Sequence, residues 1–216
     1  MKQKSLILCV SAIFLGSLAN CNRPTPAIDI TAPAAGAKLL AGDTITVQWN
    51  PSVSKPVLSY NYHLANATWQ PFDTILSLGP EEARVVLPTT WYSDSFQIRV
   101  EDGSGAATTG TSAYLQEKYI YVTSPAAGQK VHAGDTVTIS WRDNPALFSS
   151  LLVNLSVDSG KSYNNLNTAG SIPPTTTSFV WVVGAGSVGT YCEVQVCEYN
   201  GNNPFSTSGF FQILSR

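Results

Sequence analysis

The sequence predicts an all-β protein in which two consecutive β-sandwiches follow a signal peptide. Composition is the first observation: Ser (24) and Thr (20) make up a fifth of the 216 residues, and only 12% of the chain is charged, about half of the ~25% typical of soluble domains. The second observation is a long internal repeat. The third is that each copy of the repeat alternates apolar and polar residues with the period of two that half-buried strands show.

The chain opens with a segment typical of secretory signals. Lys2 and Lys4 form a basic head, and a largely apolar stretch follows at residues 6–18. This stretch is too short to cross the ~30 Å hydrocarbon layer as a permanent helix, but it has the length of a signal-peptide core. We therefore assign residues 1–20 to a signal peptide.

The signal ends in Leu18-Ala19-Asn20-Cys21, which resembles the lipobox of bacterial lipoproteins. The resemblance implies that Cys21 is lipidated and becomes the N-terminus of a protein anchored in the cell envelope, at the outer membrane or the cell surface. Residues 21–27 would then form a tether that its prolines keep extended. Asn20 stands where the family usually has Gly, Ala or Ser. The alternative is cleavage after Ala19, which would give a secreted or periplasmic soluble protein.

The repeat divides the remainder of the chain into two domains. Residues 31–49 recur at 123–141 with twelve identities in nineteen positions and an offset of 92. The offset drifts to 93 and then to 96 further along, as small loop insertions on a shared framework would cause. We predict domains over 28–117 and 118–216. Only Glu117 and Lys118 separate the last strand of the first domain from the first strand of the second, so we expect a stiff joint.

Each copy predicts about seven short antiparallel strands. The clearest is Thr44–Trp49, with Ile45, Val47 and Trp49 on its inward face. The other strand segments expected in the first copy are 28–31, 58–64, 83–87, 95–100 and 114–116, with weaker ones around residue 39 and at 74–78. About seven strands in some ninety residues is typical of an immunoglobulin-like or fibronectin III-like sandwich. By the same alternation, Trp141 and Trp181 belong to the core of the second copy.

A sequence pattern at 124–141 carries a family resemblance. Ser-Pro-x-x-Gly…Ala-Gly-Asp-x-Val-x-Ile-x-Trp resembles the Ig-like module repeated in bacterial envelope proteins, and it is similar to the N-terminal module of yeast cell-wall glucan assembly proteins. The second copy continues the pattern at 155–163 and 179–183, whereas the first copy departs from it at 65–69. The resemblance spans 28–214 and implies a spacer, an adhesin or an accessory module.

The segment Ser156-x-Asp158-x-Gly160 also resembles the Asp-box of sialidases, in which the motif is a structural hairpin turn. We expect Asp158 to bind the amides of the turn and Gly160 to supply a positive φ. We assign no catalytic role to it.

Catalytic and metal-binding patterns are absent from the sequence. The two histidines, His63 and His132, do not recur between the copies, and no CxxC or HxxxH spacing occurs. The net charge of −2 gives no electrostatic basis for binding nucleic acid. We therefore predict a protein that is not an enzyme and that has no cofactor, no metal site and no nucleic-acid partner.

Two cysteines fall within the predicted domains. Cys192 and Cys197 lie five residues apart, which places their side chains on opposite faces of an extended strand, about 16 Å apart. A direct disulfide would require that strand to break. We expect Cys192 to be a core thiol and Cys197 to lie at a strand end.

Aromatic residues in loops are the candidate ligand-binding groups. Trp91 and Tyr92 lie in a loop where the second copy has no aromatic residue, and Trp69 lies in the divergent hairpin of the first copy. Flat rings with a polar edge suit stacking on sugars. The alternative is that these rings fold back over the sandwich.

Two functions follow from these observations. The leading hypothesis is a non-catalytic, membrane-anchored envelope lipoprotein that acts in adhesion, as a scaffold or in protein interaction. The alternative is a carbohydrate-binding surface module that uses Trp69, Trp91 and Tyr92.

Overall fold

The computed structural model of the protein describes residues 27–63, 68–90, 93–105, 108–200 and 204–216. These residues form nineteen strands and two short 3-10 turns, Pro145–Leu147 and Ala185–Ser187. Ten strands precede Tyr119 and nine follow it. The all-β prediction is confirmed, and the strands form two β-sandwiches in the order that the repeat predicts.

The first sandwich consists of two sheets with the strand orders β1-β3-β7-β6 and β2-β10-β8-β4-β5, and β9 also pairs with β8. Its strands are β1 Asp29–Ala32, β2 Lys38–Leu40, β3 Thr44–Asn50, β4 Pro56–Asn61, β5 Gln70–Pro71, β6 Ile75–Leu78, β7 Glu82–Val86, β8 Ser93–Asp102, β9 Thr109–Thr111 and β10 Leu115–Lys118.

The second sandwich has the orders β11-β13-β16 and β12-β19-β17-β14-β15, with β18 also paired to β17. Its strands are β11 Ile120–Ser124, β12 Lys130–His132, β13 Thr136–Asp143, β14 Leu151–Ser156, β15 Asn164–Asn165, β16 Ser178–Val182, β17 Gly189–Glu198, β18 Phe205–Thr207 and β19 Phe211–Leu214.

Each sandwich encloses its own hydrophobic core. In β3 the burial pattern alternates along the strand, and Val47 and Trp49 are buried as expected. Trp141 and Trp181 are buried in the second core. The inward residues of the two sheets face each other across each sandwich, and burial of their apolar surface is the main force that holds the sheets together.

The duplication is visible in the backbone hydrogen bonds. In both copies a serine interrupts the chain between the last two strands: Ser112 between β9 and β10, and Ser208 between β18 and β19. Each hydroxyl accepts a 3.0 Å bond from the neighbouring strand, from the amide of Ile98 or of Val194. Each also donates to the carbonyl of the following residue. The serines therefore satisfy a backbone amide that the broken ladder would leave unpaired.

The copies differ at one sheet edge. In the first sandwich β6 pairs with the outer side of β7. In the second, the chain between β15 and β16 forms an isolated bridge between Ile172 and Leu151 instead. Pro173 and Pro174 follow this bridge and have no amide hydrogen to donate to a ladder. As a result, β16 is the edge strand of its sheet.

Two boundary expectations were wrong. The strand expected at 58–64 ends at Asn61, because the Asn61 side chain accepts the amide of His63 and His63 adopts a φ of 53°. Glu117 and Lys118 are not a linker, since they pair with Leu39 and Leu40 inside the parallel β2–β10 ladder.

Candidate functional site

The joint between the sandwiches is a single residue long. β10 ends at Lys118 and β11 begins at Ile120, so only Tyr119 connects them. The Tyr119 hydroxyl donates a 2.8 Å hydrogen bond back to the carbonyl of Thr89 in the first sandwich. The Tyr121 hydroxyl likewise donates to the carbonyl of Gln116 at 2.8 Å. The side chains of the connecting residue and of a residue in the first strand of the second sandwich thus bind the backbone of the first sandwich.

Asn144 adds a third bond between the sandwiches, close to the Tyr119 bond, because a Cβ at Gly42 would meet both Asn144 and Thr89. Its Nδ2 donates to the carbonyl of Ala41 at 3.1 Å, while its Oδ1 accepts from the amide of Ala146 in the adjoining 3-10 turn. Gly42 has a φ of 80°, and a Cβ there would lie 2.6 Å from the Asn144 nitrogen. Glycine is therefore needed both for the backbone conformation and for the close approach of the two sandwiches.

Next to the joint, the first core contains a buried carboxyl. Glu117 in β10 is fully buried. Burial raises its pKa to about 8, and the nearby Tyr62 hydroxyl opposes that rise. Neither the Glu117 oxygens nor the Tyr62 hydroxyl has a hydrogen-bond partner of good geometry among the described residues. Because burial favours the neutral form, this side chain is largely protonated near neutral pH.

Aromatic rings of the same core lie beside this carboxyl. Tyr62 packs against Tyr60 in a T-shaped contact with ring centroids 5.5 Å apart, and against Phe96 at 5.4 Å. Phe72 packs against Tyr60 at 5.0 Å. Burial, followed by the charge of Glu117, raises the pKa of Tyr62 well above its usual value. All four rings are buried and belong to the core of the first sandwich.

A second polar and aromatic group lies on the outer face of the first sandwich. The Trp69 ring is half-buried, with the Arg99 guanidinium 4.6 Å from its centroid. Arg99 in turn pairs with Glu101 at 2.8 Å and donates from Nε to the Ser59 hydroxyl at 3.2 Å. This group, which we call the Trp69 platform, holds a half-buried indole ring against the Arg99 guanidinium, and the Ser59 hydroxyl that Arg99 binds is itself buried.

The Asp-box segment forms the expected structural turn. Asp158 accepts the amide of Ser162 at 3.0 Å and the Ser162 hydroxyl at 2.6 Å. These bonds, together with one from Ser156, lower the pKa of Asp158 to about 2. Gly160 has a φ of 82°, as predicted. Asp158 is therefore occupied by the backbone and side chains of its own turn.

The second sandwich also has a buried carboxyl, but this one is paired. Glu193 accepts a short hydrogen bond from the Tyr163 hydroxyl. Burial, followed by this bond, raises the pKa of Tyr163 above its usual value. The pair links β17 to the end of the Asp-box turn and has a structural role.

Both cysteines lie on β17, and neither forms a disulfide. Cys192 is in the core as expected. Cys197 lies one residue before the end of the strand, on the opposite face, and it is fully buried as well. The Asn154 side chain donates to its sulfur at 3.4 Å. Burial raises the pKa of Cys197 to about 11, which keeps the thiol protonated.

No protein-family model matches the chain, and neither does any curated protein. Solved structures similar to it include the teleost fish polymeric Ig receptor ectodomain, at 10% identity over 88% of this chain and 98% of that one, with a TM-score of 0.45.

Fibronectin III modules are also among the similar structures. The fibronectin(III)-like modules of Clostridium thermocellum CbhA match at 15% identity over 88% of this chain and 94% of theirs, with a TM-score of 0.30. The chicken CNTN1 FN1–FN3 domains match at 17% identity over 88% and 68%, also with a TM-score of 0.30. Similarity at this level concerns the fold alone, and our assignment of the fold rests on the strand order given above.

The structure describes only one of the predicted site residues. Cys21, Trp91 and Tyr92 lie outside the described residues, whereas Trp69 lies on the platform beside Arg99. Glu117 was missed, because the sequence reading ended the first domain at that residue. The repeat alignment held the missing signal: Gln116 aligns with Gln212, and so Glu117 aligns with the core residue Ile213.

The described part of the chain has neither a metal-binding cluster nor a helix that could cross a membrane. No three His, Cys, Asp or Glu side chains come close enough together there to bind a metal ion. No helix in those residues has the length and apolar character that crossing a membrane requires.

Proposed function

We propose that this protein is a non-catalytic scaffold that holds two interaction modules in a fixed relation to each other. The observation that carries this proposal is the joint: one connecting residue and three side-chain hydrogen bonds between the sandwiches. Free relative motion is the default for domains with small interfaces, and specific bonds across so short a connection oppose that motion.

The fixed relation between the sandwiches can be tested by removing hydrogen bonds across the joint. Asn144→Ala removes one bond, and Tyr119→Phe removes another. Small-angle scattering of the double variant should show a wider range of shapes than the wild type, while each sandwich keeps its own unfolding transition. Asn165→Ala, a change at an exposed residue of β15, is the matched control. A wild type as flexible as the double variant would contradict a fixed relation between the modules.

A scaffold must also bind something. Chemical cross-linking in intact cells should recover a protein partner with the wild type and with Asn165→Ala, and less of it with the double variant. Equal recovery with all three would show that binding does not depend on the joint.

The proposal includes an envelope anchor at Cys21. It is supported by the signal-like segment at residues 1–20 and by the lipobox resemblance. In a bacterial host, the full-length chain should incorporate a labelled fatty acid and enter the detergent phase. Cys21→Ser should abolish both effects, whereas Cys9→Ser, a change within the signal, should abolish neither. Unlabelled wild type in the aqueous phase would favour the secreted or periplasmic soluble alternative.

The Trp69 platform favours carbohydrate binding as a second candidate function. Its half-buried indole lies against the Arg99 guanidinium, which in turn pairs with the Glu101 carboxylate. An indole beside charged groups suits stacking on a sugar and hydrogen bonding to it. Retention on immobilised polysaccharides should be lost in Trp69→Ala or in Trp91→Ala without a change in melting temperature. Phe205→Ala, a loss of an exposed ring in the second sandwich, should bind like the wild type. Retention that survives both tryptophan changes would exclude this candidate.

A further inference from the structure

The second sandwich leaves unpaired the edge that the first sandwich fills. β7 of the first copy lies between β3 and β6, whereas its counterpart β16 pairs with β13 alone. Irregular pairing of β16 does not explain this difference, because β13 and β16 pair over five consecutive residues without a register shift. β16 is a regular strand that has no neighbour on one side among the described residues.

The direction of its backbone groups follows from the ladder. Trp141 donates its amide to Thr177 at one end, and Val183 donates to Asp135 at the other. Since bonded pairs alternate along an antiparallel ladder, Ser178, Val180 and Val182 direct their amides and carbonyls away from β13. Within the part of the chain that the structure describes, no backbone group pairs with these.

The first copy shows what occupies this edge. There, the Glu82 carbonyl accepts the amide of Gly79 at 2.8 Å, and the Val86 amide donates to Thr74 at 3.0 Å. Both bonds go to β6 or to residues next to it. An antiparallel strand is therefore the neighbour that this framework accommodates.

β16 also lacks the features that protect exposed edges. Edge strands usually carry charged residues, proline or a bulge that prevents further pairing. The sequence Ser178–Val182 has no charge and no proline, and its ladder has no bulge. Val180 and Val182 are 63% and 64% exposed. By contrast, the first copy has Glu82 and Arg84 on its equivalent strand.

We propose that β16 is a dimerisation edge that pairs antiparallel with β16 of a second copy of this chain. Centred on Val180, the pairing sets Val180 opposite Val180 of the partner subunit and Ser178 opposite Val182 of the partner subunit. The outward groups of the two strands then form about six backbone hydrogen bonds. The two three-stranded sheets become one continuous sheet, with four valine side chains together on its outer face.

A second copy fits this edge because the edge is complementary to itself. A closed dimer requires a surface that matches its own image about a twofold axis, and a strand paired about its central residue meets that requirement. The neighbouring outward residues of β13, Thr136 and Thr138, are uncharged, so two copies approach without like-charge repulsion.

The test is the oligomeric state of residues 22–216, which include every residue of both cores. Sedimentation velocity up to about 100 µM suits the weak association expected of so small an interface. The wild type should dimerise. Val180→Lys should raise the dimer dissociation constant about tenfold or more, because two ammonium groups would face each other. Val188→Lys, a change at an exposed valine elsewhere in the same sandwich, should leave dimerisation unchanged.

A cross-link gives a readout that does not depend on the lysine variant. Facing Cα atoms in a bonded antiparallel pair lie about 5.5 Å apart, within the range that a disulfide spans. Oxidised Val180→Cys should therefore form a covalent dimer, whereas Val188→Cys should not. Cys192 and Cys197 are buried and do not compete.

Three results would overturn the proposal: a wild type that stays monomeric at every concentration, a dimer that resists Val180→Lys and does not cross-link through Val180→Cys, or open-ended oligomers. A monomer that binds a foreign extended peptide along β16 would show that the edge serves a different partner.

Discussion

The two sandwiches place different side chains at one structural position. Glu117 pairs with Leu39 in the first parallel ladder, and Ile213 pairs with Val131 in the second. Both side chains are almost completely inaccessible to solvent. One framework therefore holds a carboxyl in one copy and an aliphatic group in the other, with the same backbone pairing.

Other matched core positions also carry chemically different side chains in the two copies. The strand ladders place Tyr60 opposite Ile98 and Leu155 opposite Val194, so Tyr60 corresponds to Leu155 and not, as the offset of 93 predicts, to Val153. The repeat aligns Phe96 with Cys192, and Tyr60, Leu155, Phe96 and Cys192 are all buried. At these two positions the first core has aromatic rings, one of which carries a hydroxyl, where the second core has an aliphatic side chain and a thiol. The fold determines which positions must be filled by buried side chains, but different types of side chain can fill them. As a consequence, the first core contains a buried carboxyl, Glu117, whose pKa rises on folding, and the second core has an aliphatic side chain at the same position.

The largest expected effect comes from moving the carboxyl into the second core. Ile213→Glu places an ionisable group at a position that is 1% exposed to solvent and that pairs with the buried Val131. We expect the second sandwich to lose more than about 3 kcal/mol of unfolding free energy at neutral pH, or to remain unfolded. Thermal unfolding followed by tryptophan fluorescence measures this loss. A change below ~1 kcal/mol would mean that the second core accepts a carboxyl as readily as the first.

The next largest effect is the pH dependence of the first sandwich. The Glu117 pKa rises from its usual 4.5 to about 8 on folding, so between these values the folded state binds a proton that the unfolded state releases. Stability is therefore highest below about pH 4.5 and falls until the pH passes about 8. We expect a loss of about 2 kcal/mol or more across this range, measured by denaturant unfolding at a series of pH values.

Glu117→Gln should remove this slope from the first transition, while the second transition stays as in the wild type. Glu82→Gln, a change at an exposed carboxyl, should keep the slope. A wild type whose first sandwich has the same stability at pH 5 and pH 8 would show that Glu117 is not the titrating group.

A smaller effect should be equal in the two copies. Ser112→Ala and Ser208→Ala each leave one buried amide without its acceptor, and each should destabilise its own sandwich by about 1–2 kcal/mol. The exposed Ser215→Ala is the control. Costs that differ strongly between the two variants would show that the serines are not equivalent despite their matching bonds.

The smallest effect concerns the Asp-box turn, which the first copy lacks in its sequence. Asp158→Asn weakens the bonds to Ser162 and should lower the melting temperature of the second sandwich slightly. Because folding lowers the pKa of Asp158 to about 2, the advantage of the wild type over the variant should disappear as the pH falls towards that value. If the difference in melting temperature between the wild type and Asp158→Asn does not change with pH, the charge of Asp158 is not what stabilises the turn.

Much of the fold follows from local patterns. Alternation located β3 to within one residue, and the three core tryptophans followed from the same rule. The Asp-box turn was predictable because its bonds join residues within a few positions of one another. These features depend on nearby sequence only, which is why the sequence sufficed.

Features that depend on distant pairing were not predictable in the same way. Glu117 is buried because β10 pairs with β2 across the chain, and a charged residue beside a domain boundary is normally exposed. Tandem prolines hint that β16 lacks a neighbour, but only the sheet order shows that its edge is open. Trp69 was a correct candidate for a surface aromatic, but its guanidinium partner lies thirty residues away on β8.

The reaction rates of the two buried thiols report how often the second sandwich opens. Cys192 and Cys197 lie on opposite faces of one strand, and neither is accessible to solvent while that strand stays in place. An alkylating reagent can reach them only during transient opening, so its rate of reaction counts opening events. The two sites report separately: Cys192 on separation of the sheets, and Cys197 on loss of the covering at the outer face of β17.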